Sequence, residues 1–381
     1  MMKKIAIIGA SYLQLPLILK AKSMGLETHV FAWECGDVGE SEADHFYPIS
    51  IVEKEQILDK CREIGIDGIT SIASDLAVLT VCYVAEKMGI VGNGIQSSVC
   101  SVNKYHMKKA FEANGVPAAK CVLVDNGVIP DIGGFGYPLI VKPTDRSGSR
   151  GVTRLDSPSD DLNEAVSKAV EQSLEKKALI EEFVPGNEYS VECISYEGEH
   201  TLLAVTKKYT TGSPHYIETA HIEPSGLAPD VIEKFRAIVF NGLDALGVKY
   251  GASHSELKIS GDEIKVIEIG ARMGGDMIGS TLVQLSTGYD LVKAVIDICL
   301  GVRPEPFEDH GGVTVAIRYI TDVDAAKCLE RIQKECPGLL YEVDDRRGDL
   351  SSIIDSSTRK GYYVMASSDR DLIAGFMPES E

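Results

Sequence analysis

Short apolar runs alternate with amphipathic stretches along the first 95 residues. Lys3–Ala10 is apolar enough for a buried strand, and the helix predicted after it has Pro16 near its first turn and Gly25 past its end. The same alternation predicts, in chain order, a strand at 27–34, a helix at 53–64, a strand at 67–73, a helix at 75–88 and a short strand at 89–93. This alternation favours a doubly wound α/β domain.

The pattern becomes strand-rich after a predicted helix at Asn103–Asn114. A small α+β unit is predicted from strands at 121–124, 137–143, 152–155 and 178–184 and a helix at 159–176. A larger antiparallel region is predicted from strands at 188–198 and 200–209, a Pro/Gly-rich excursion at 212–229, and helices at 230–246 and 289–300. The tail from Arg303 mixes strand and helix patterns and indicates an appended α+β subdomain.

Two predicted strands between Ser253 and Asp276 carry the acidic residues Glu256 and Glu268. A two-residue turn at Gly261-Asp262 would put the two carboxylates on opposite faces, because side chains alternate with period two. A turn with an odd number of residues, or a bulge, would place them directly opposite each other. Paired carboxylates suit Mg²⁺, although an exposed hairpin with two solvated glutamates remains the alternative.

Composition narrows the function classes. The net charge of −19 argues against nucleic acid and anionic membrane as partners, since both need a basic surface. No apolar stretch approaches the roughly 20 residues that span a bilayer, and the N-terminus has no cleavage-site pattern. The nine scattered cysteines include no CxxC, which favours a reducing, cytoplasmic setting and argues against zinc. A small-molecule substrate is therefore expected.

Three further stretches have residues suited to a nucleotide. Lys142 ends a strand and precedes a loop with Gly148 and Gly151, whose backbone N–H groups can hold phosphate. Lys104 opens a helix and is a second possible phosphate contact. The linker Glu181-Glu182-Phe183-Val184 and the acceptor Glu188 suit an adenine edge and a ribose. Each stretch alone also fits an ordinary surface loop, and the turn after Gly9 lacks the further glycines of a dinucleotide site.

The order of these stretches resembles that of the ATP-grasp superfamily. The resemblance runs from about residue 3 to 302, and its most specific matches are EIGARMGGDMI and TGYDLVKAVIDICLG. The similarity is greatest to carboxylate–amine ligases of the L-amino-acid ligase type, with purine-pathway and carbamoyl-phosphate-synthase-like enzymes as neighbours. It implies a pre-ATP-grasp α/β domain at 1–100, a two-lobed ATP-grasp domain at 101–302 with its lid lobe at about 117–184, and a C-terminal α+β subdomain at 303–381.

The resemblance also implies roles for individual residues. ATP would be bound by Lys104, Lys142, Ser147, Gly148, Ser149, Gly151, Glu181, Glu182, Phe183, Val184 and Glu188. Mg²⁺, or Mn²⁺, would be bound by Glu256 and Glu268, and Arg272 would stabilise the reacting phosphoryl group together with Lys142. Substrate contacts are expected from Lys208, Glu218, His221, Gly274 and Gly275. Gly270 stands where many relatives have an asparagine, which leaves the number of metals open.

The expected activity is ATP-dependent ligation. A carboxylate would be activated as an acylphosphate and joined to an amine, with amino acids or a dipeptide-type product as the expected substrate class. A purine-pathway or biotin-carboxylase-like ligase is the first alternative, and a catalytically silent nucleotide-binding protein is the second. A homodimer is expected only from the frequency of two-fold oligomers.

Overall fold

A parallel four-stranded sheet forms the N-terminal part of the chain. The computed structural model describes residues 2–213, 216–346, 350, 353 and 356–379. Its first elements are β1 (Lys4–Ile8), α1 (Leu15–Ser23), β2 (Glu27–Phe31), α2 (Val38–Glu42), β3 (His45–Tyr47), α3 (Lys54–Ile64), β4 (Gly68–Thr70) and α4 (Asp75–Met88). The strand order is β3-β2-β1-β4, and every neighbouring pair is parallel. The predicted α/β fold class is confirmed here.

The edge strand of this sheet differs from the prediction. Residues 89–93 form no strand, whereas the short β3, which follows the unpredicted α2, pairs with β2. Gly92 packs so closely on α4 that an added Cβ would lie 2.8 Å from the Cβ of Ala85. Ile90 packs against a cluster that includes Val84 of α4, and Val91 packs against a different cluster that includes Ile5, so this run does not extend the sheet. A short apolar run cannot reveal this by itself.

An antiparallel sheet of four strands forms the second unit. Two helices lead to it, α5 (Ile95–Val102) and α6 (Lys104–Asn114), and its elements are β5 (Cys121–Asp125), β6 (Leu139–Pro143), β7 (Thr153–Leu155), α7 (Leu162–Gln172) and β8 (Lys177–Glu182). The strand order is β5-β8-β6-β7. Helix α6 begins at Lys104 because the Asn103 side chain accepts hydrogen bonds from the N–H groups of Tyr105 and His106. This cap fixes the direction in which Lys104 leaves the helix.

The third sheet has eight antiparallel strands and includes the C-terminal part of the chain. Its first elements are β9 (Asn187–Tyr196), β10 (Glu199–Thr210), β11 (Glu218–Glu223), α8 (Pro229–Ala245), β12 (Gly251–Ser260), β13 (Glu263–Gly270), a π-helical turn (Ile278–Leu282), α9 (Val283–Thr287) and α10 (Leu291–Cys299). The chain ends with β14 (Thr314–Tyr319), α11 (Val323–Glu335), a 3₁₀ turn (Pro337–Leu339), β15 (Leu340–Asp345), a 3₁₀ turn (Ser356–Thr358), β16 (Gly361–Ser367) and α12 (Arg370–Ala374).

The sheet order is β13-β12-β9-β10-β11-β14-β16-β15. Strand β11 lies inside the excursion that was predicted at 212–229, of which Pro214 and His215 are outside the described residues. Because β14 pairs with β11, the α+β elements after Arg303 extend the sheet of the preceding region. The division of the chain at residues 100 and 302 stays a prediction.

One apolar cluster joins the N-terminal sheet to the large sheet. It contains Ile5 and Ile7 of β1, Ile194 of β9 and Ile296 and Ile298 of α10, all of which are almost completely buried. Continuous apolar packing of this kind holds the two sheets in one arrangement. The N-terminal end of α4 is thereby fixed beside the large sheet. In the part of the chain that the structure describes, no helix combines the length and apolar character needed to cross a membrane.

Candidate active site

The β12–β13 hairpin places Glu256 and Glu268 directly opposite each other. Its turn has two residues, Gly261 and Asp262, since Ser260 pairs with Glu263. A regular hairpin of this register would pair Glu256 with Ile267, but Ile267 is an extra residue in β13, and Glu256 pairs with Glu268. This bulge brings both carboxylates to one cleft, as the bulge alternative predicted.

Lys104 reaches the same cleft from the start of α6. Its Nζ lies 2.9 Å from Glu268 Oε2 and donates to the carbonyl of Arg146 at 2.8 Å. Burial alone would lower the pKa of Lys104, but the Glu268 carboxylate raises it above its usual value. The lysine is therefore a buried cation beside the paired carboxylates.

Lys142, at the end of β6, is paired with the linker residue Glu181. The two side chains approach to 2.5 Å between Nζ and Oε1, and Lys108 Nζ lies 3.7 Å from the other carboxylate oxygen. Burial would raise the pKa of Glu181, but the two lysines lower it below its usual value. Glu181 is thus an ionised anchor for Lys142, which holds that ammonium group in the cleft.

The glycine-containing loop after β6 covers one side of the cleft. Ser147, Gly148 and Ser149 line it, and Gly148 has a φ of +67° that favours glycine. The Ser149 hydroxyl donates to the carbonyl of Tyr216 across the cleft at 3.2 Å. Gly151 packs on β6 and α7, where an added Cβ would lie 3.0 Å from Pro143 Cγ.

The linker after β8 forms the wall beside this loop. Phe183 and Val184 line the cleft, and the Arg154 guanidinium lies 4.3 Å from the centre of the Phe183 ring. The N–H of Glu182 donates to the carbonyl of Lys120 at 3.1 Å, and that of Phe183 to Pro138 at 3.0 Å. These bonds fix the linker as a rigid edge with an aromatic side chain facing the cleft.

Lys208 is surrounded by three carboxylates in the floor of the cleft. Its Nζ lies 2.5 Å from Glu256 Oε1, 3.1 Å from Glu188 Oε1 and 3.9 Å from Glu218 Oε1. Burial would lower the pKa of Lys208, but the Glu256 and Glu188 carboxylates raise it well above its usual value. The structure thus brings together Glu256, which was predicted to bind the metal, and Glu188, which was predicted to bind the ribose. Lys208 and Glu218, which were predicted to contact the substrate, lie beside them.

Arg272 is oriented by a residue that the sequence did not nominate. Its Nε and Nη2 donate to the two carboxylate oxygens of Asp75 at 2.8 and 3.2 Å. Asp75 is the first residue of α4, so the N-terminal sheet positions this arginine. The pair is buried beside the hairpin carboxylates and lines the cleft.

A buried histidine connects Glu256 to the loop after β13. His254 Nδ1 is hydrogen-bonded to Glu192, and its Nε2 lies 3.5 Å from Glu256 Oε1. Burial would lower the pKa of His254, but the Glu192 carboxylate raises it to about 9. Glu192 also accepts the N–H of Gly274 at 3.2 Å. The N–H of Gly274, which was expected to contact the substrate, is therefore already used, whereas Gly275 lines the cleft.

The far end of the cleft contains a second charged group. His221 Nε2 lies 3.5 Å from Asp276 Oδ2, and Arg359 donates to both Asp276 oxygens at 3.0 and 2.6 Å. Arg359 also lies 3.6 Å from the centre of the Tyr319 ring, and Ser356 donates to Glu218. Burial lowers the pKa of His221, which favours a neutral imidazole. The predicted residues Glu218 and His221 therefore lie beside unpredicted Asp276 and Arg359.

The donor set at the hairpin suits a hard cation. The ion pairs described above use Oε1 of Glu256 and Oε2 of Glu268, so each carboxylate has a second oxygen for a metal. Carboxylate oxygens are the ligands that Mg²⁺ prefers. Gly270 lies opposite His254 on the neighbouring strand and contributes no side-chain ligand. Two glutamates are thus the acidic donors on this hairpin face.

Comparison with known proteins shows which domain family part of this chain matches and which enzyme it is similar to. Residues 135–280 match the model of the ATP-grasp domain family. The alanine–anticapsin ligase of Bacillus subtilis (strain 168) is 29% identical over 278 residues, which cover 65% of this chain and 57% of that protein. The chain carries an ATP-grasp domain, as the resemblance in the sequence implied.

Two solved structures share the fold over nearly the whole chain. The L-amino acid ligase from Bacillus licheniformis superposes with a TM-score of 0.81 at 23% identity, covering 98% of this chain and 95% of that one. Phosphoribosylglycinamide synthetase from Anaerococcus prevotii gives 0.76 at 19% identity, covering 98% and 96%. The chain spans 57% to 63% of the length of the alanine–anticapsin ligases that it matches.

Proposed function

We propose that the protein is an ATP- and Mg²⁺-dependent ligase that joins a carboxylate to an amine, with amino acids as both substrates. The observation that carries the proposal is the pairing of Glu256 and Glu268 across the bulged hairpin, in a cleft that also contains Lys104, Lys142 and Arg272. Anionic metal ligands and three cations in one cleft suit the transfer of a phosphoryl group. The similarity to alanine–anticapsin ligase supports this class of reaction.

The nucleotide would lie between the glycine-containing loop and the linker. Phe183 and Val184 would contact the adenine, and the C=O of Glu182 is the group suited to its amino group, since the N–H of Glu182 is already used. Glu188, at the start of β9, would accept from the ribose hydroxyls. Lys104, Lys142 and the loop 147–151 would contact the phosphates. The lid lobe at about 117–184, which includes Lys142 and this loop, would exclude water from the acylphosphate.

Glu256 and Glu268 would hold Mg²⁺, which supplies charge neutralisation at the phosphates when it is bound. Arg272, fixed by Asp75, would stabilise charge on the carboxylate as it becomes an acylphosphate. In this arrangement Lys104 and Lys142 would neutralise the phosphates, and Arg272 would neutralise the reacting carboxylate. Each of these groups is already oriented by a buried partner, which favours a preformed site.

The second substrate would bind at the far end of the cleft. Glu218 and Asp276 provide negative charge for an ammonium group, and Arg359 provides positive charge for a carboxylate. Neutral His221 lies beside Asp276 and suits a base that accepts a proton from the attacking amine. Groups of both signs at this end fit the zwitterionic character of an amino acid.

The test is a phosphate-release screen. Purified protein is incubated with ATP, Mg²⁺ and pairs of amino acids, and phosphate and the condensed product are measured. We expect release that depends on a particular pair, and bicarbonate or phosphorylated amines serve as probes of the purine-pathway and biotin-carboxylase-like alternative. Nucleotide binding without phosphate release under all pairs would instead support a catalytically silent protein. Light scattering of the same sample tests the predicted homodimer.

The matched variant is Glu268→Gln, which keeps the size of the side chain and removes its charge. We expect at least a hundredfold loss of phosphate release, because a metal ligand and the partner of Lys104 are lost together. Glu263→Gln, in the exposed first position of β13, is the control and should retain full activity. Undiminished release by Glu268→Gln would overturn the assignment of the metal site.

A further inference from the structure

Two histidines and a glutamate converge on one face of the N-terminal sheet. Glu27 and His29 lie two residues apart in β2, so their side chains leave the same face of the strand. His45 begins β3 and lies directly beside His29 in the parallel register. None of the three is among the residues that line the candidate active site in the described part of the chain.

The donor atoms of these side chains are close together. Glu27 Oε1 lies 3.1 Å from His29 Nε2 and 3.2 Å from His45 Nε2. All three donor atoms lie within 4.8 Å of one another. Two ligands of a tetrahedral ion with bonds of 2.0–2.2 Å are themselves about 3.3–3.6 Å apart, so the two glutamate–histidine distances already approach that separation.

His29 provides an independent indication that the cluster can bind a metal. Its side chain is 4% exposed, and the contact of its buried Nε2 with Glu27 Oε1 at 3.1 Å does not have the geometry of a hydrogen bond. The other ring nitrogen, Nδ1, lies 3.1 Å from the Tyr47 hydroxyl. A hydrogen bond from Nδ1–H to that oxygen leaves the lone pair of Nε2 directed at the cluster, as in metal-bound histidines.

We propose that Glu27, His29 and His45 bind a divalent transition-metal ion of the Zn²⁺ type, with water as the fourth ligand. Two imidazoles and one carboxylate form a donor set that suits zinc, whereas Mg²⁺ prefers oxygen ligands alone. The site lies outside the catalytic cleft and connects β2 to β3. Metal binding would stabilise the edge of the N-terminal sheet, because the ligands are assembled only in the folded chain.

Closing the site requires a small movement of His45. The two imidazole rings are stacked with their centres 4.7 Å apart, and their planes are nearly parallel. Two nitrogens bound to one zinc ion can be no more than about 4.2 Å apart, since each bond is about 2.1 Å. The His45 side chain is 50% exposed and can rotate toward Glu27, whereas His29 is held by its surroundings.

The experiment is calorimetric titration of the full chain with ZnCl₂ in the presence of excess Mg²⁺. We expect the wild type to bind one zinc ion more than His45→Ala. Tyr47→Phe should weaken the affinity of this site for zinc by about 10- to 100-fold, because it removes the oxygen that orients His29. Glu268→Gln and His106→Ala are the controls for the hairpin carboxylates and for an unrelated exposed histidine. Both should keep the additional ion.

A second readout does not depend on stoichiometry. In ¹⁵N-histidine-labelled protein, zinc should shift the ring resonances of His29 and His45, assigned from the single variants, and leave His106 in place. Circular dichroism confirms that His45→Ala is folded, as expected for an exposed side chain. Equal zinc binding by wild type and His45→Ala, or shifts at other histidines only, would show that the cluster is an ordinary histidine–glutamate ion pair and would overturn the proposal.

Discussion

Glu223 is a buried carboxyl group with no cation against it in the hydrogen bonds and ion pairs of the described residues. Its two oxygens accept hydrogen bonds from the hydroxyls of Thr206 at 2.6 Å and Ser286 at 2.5 Å. Burial raises the pKa of Glu223 to about 7, and these two hydrogen bonds offset only part of that shift. The neutral form is therefore favoured in the folded protein up to nearly neutral pH.

This residue predicts a pH dependence of stability. Between pH 4.5 and 7 the folded state retains a proton that the unfolded state has lost, so stability falls as the pH rises. The loss amounts to roughly 3 kcal/mol at pH 7 and above. Glu223→Gln removes the titrating group and therefore this loss of stability. In urea unfolding between pH 4 and 8, the free energy of unfolding of the variant should rise relative to that of the wild type as the pH increases. A difference that stays constant with pH would contradict the raised pKa.

Individual residues of the site were predictable where the chain has a local motif. Glu256, Glu268 and Lys142 were predicted because they lie in strands whose pattern is clear, and Lys104 because it begins a helix. Asp75 and Arg359 were missed, since nothing near them in the sequence indicates that they orient Arg272 and Asp276. These contacts depend on segments 197 and 83 residues apart. Pairings at such separations are set by the tertiary fold and leave no local pattern.

At the scale of elements, the turns decide which face each strand presents. The sequence left a bulge and a regular two-residue hairpin as alternatives, because the same residues fit both arrangements. The outcome was fixed by packing of the apolar side of β13, where Val266 and Ile269 are buried on either side of the extra residue. Strand β11 was hidden for a similar reason, since its short alternation lies inside a Pro/Gly-rich stretch.

The turn between β8 and β9 is a second element on which the cleft depends. Gly186 has a φ of +104°, and an added Cβ would lie 2.1 Å from the carbonyl oxygen of Ile259. Gly186→Ala should therefore lower the free energy of unfolding by more than about 3 kcal/mol, from backbone strain and overpacking together. The close approach brings β12 against the linker that precedes Glu188. Thermal and urea unfolding measure the effect.

Gly198, in the turn between β9 and β10, is the matched control for Gly186. Its φ is +83°, but the nearest atom to an added Cβ is Lys249 Cγ at 4.0 Å. Gly198→Ala should cost only the backbone strain, about 1–2 kcal/mol. Equal losses in the two variants would mean that the contact with Ile259 contributes nothing.

At the scale of the whole molecule, the cleft is lined by residues from each of the three sheet-containing parts of the described chain. Helix α4, which follows the N-terminal sheet, contributes Asp75, the small antiparallel sheet contributes Lys142, and the large sheet contributes the hairpin carboxylates. The C-terminal part completes it through Ser356 and Arg359, which reach Glu218 and Asp276. The fold class was predictable because periodicity reports each element separately. The joining of β14 to β11 was not, because a tail with its own strand and helix pattern also fits an independent unit.

The pair Arg359–Asp276 tests whether this C-terminal connection stabilises the molecule. The Arg359 side chain is 7% exposed and that of Asp276 is 23% exposed. Removal of either partner leaves a poorly hydrated charge, so Arg359→Met and Asp276→Asn should each lower the free energy of unfolding by about 3 kcal/mol.

The double variant leaves neither charge and should lose less than the sum of the two single losses, with a coupling energy of about 1–3 kcal/mol. Arg303→Met, which breaks exposed pairs with Glu197 and Glu199, is the control and should leave the free energy of unfolding almost unchanged. Strictly additive losses in urea unfolding would show that the two side chains do not stabilise each other.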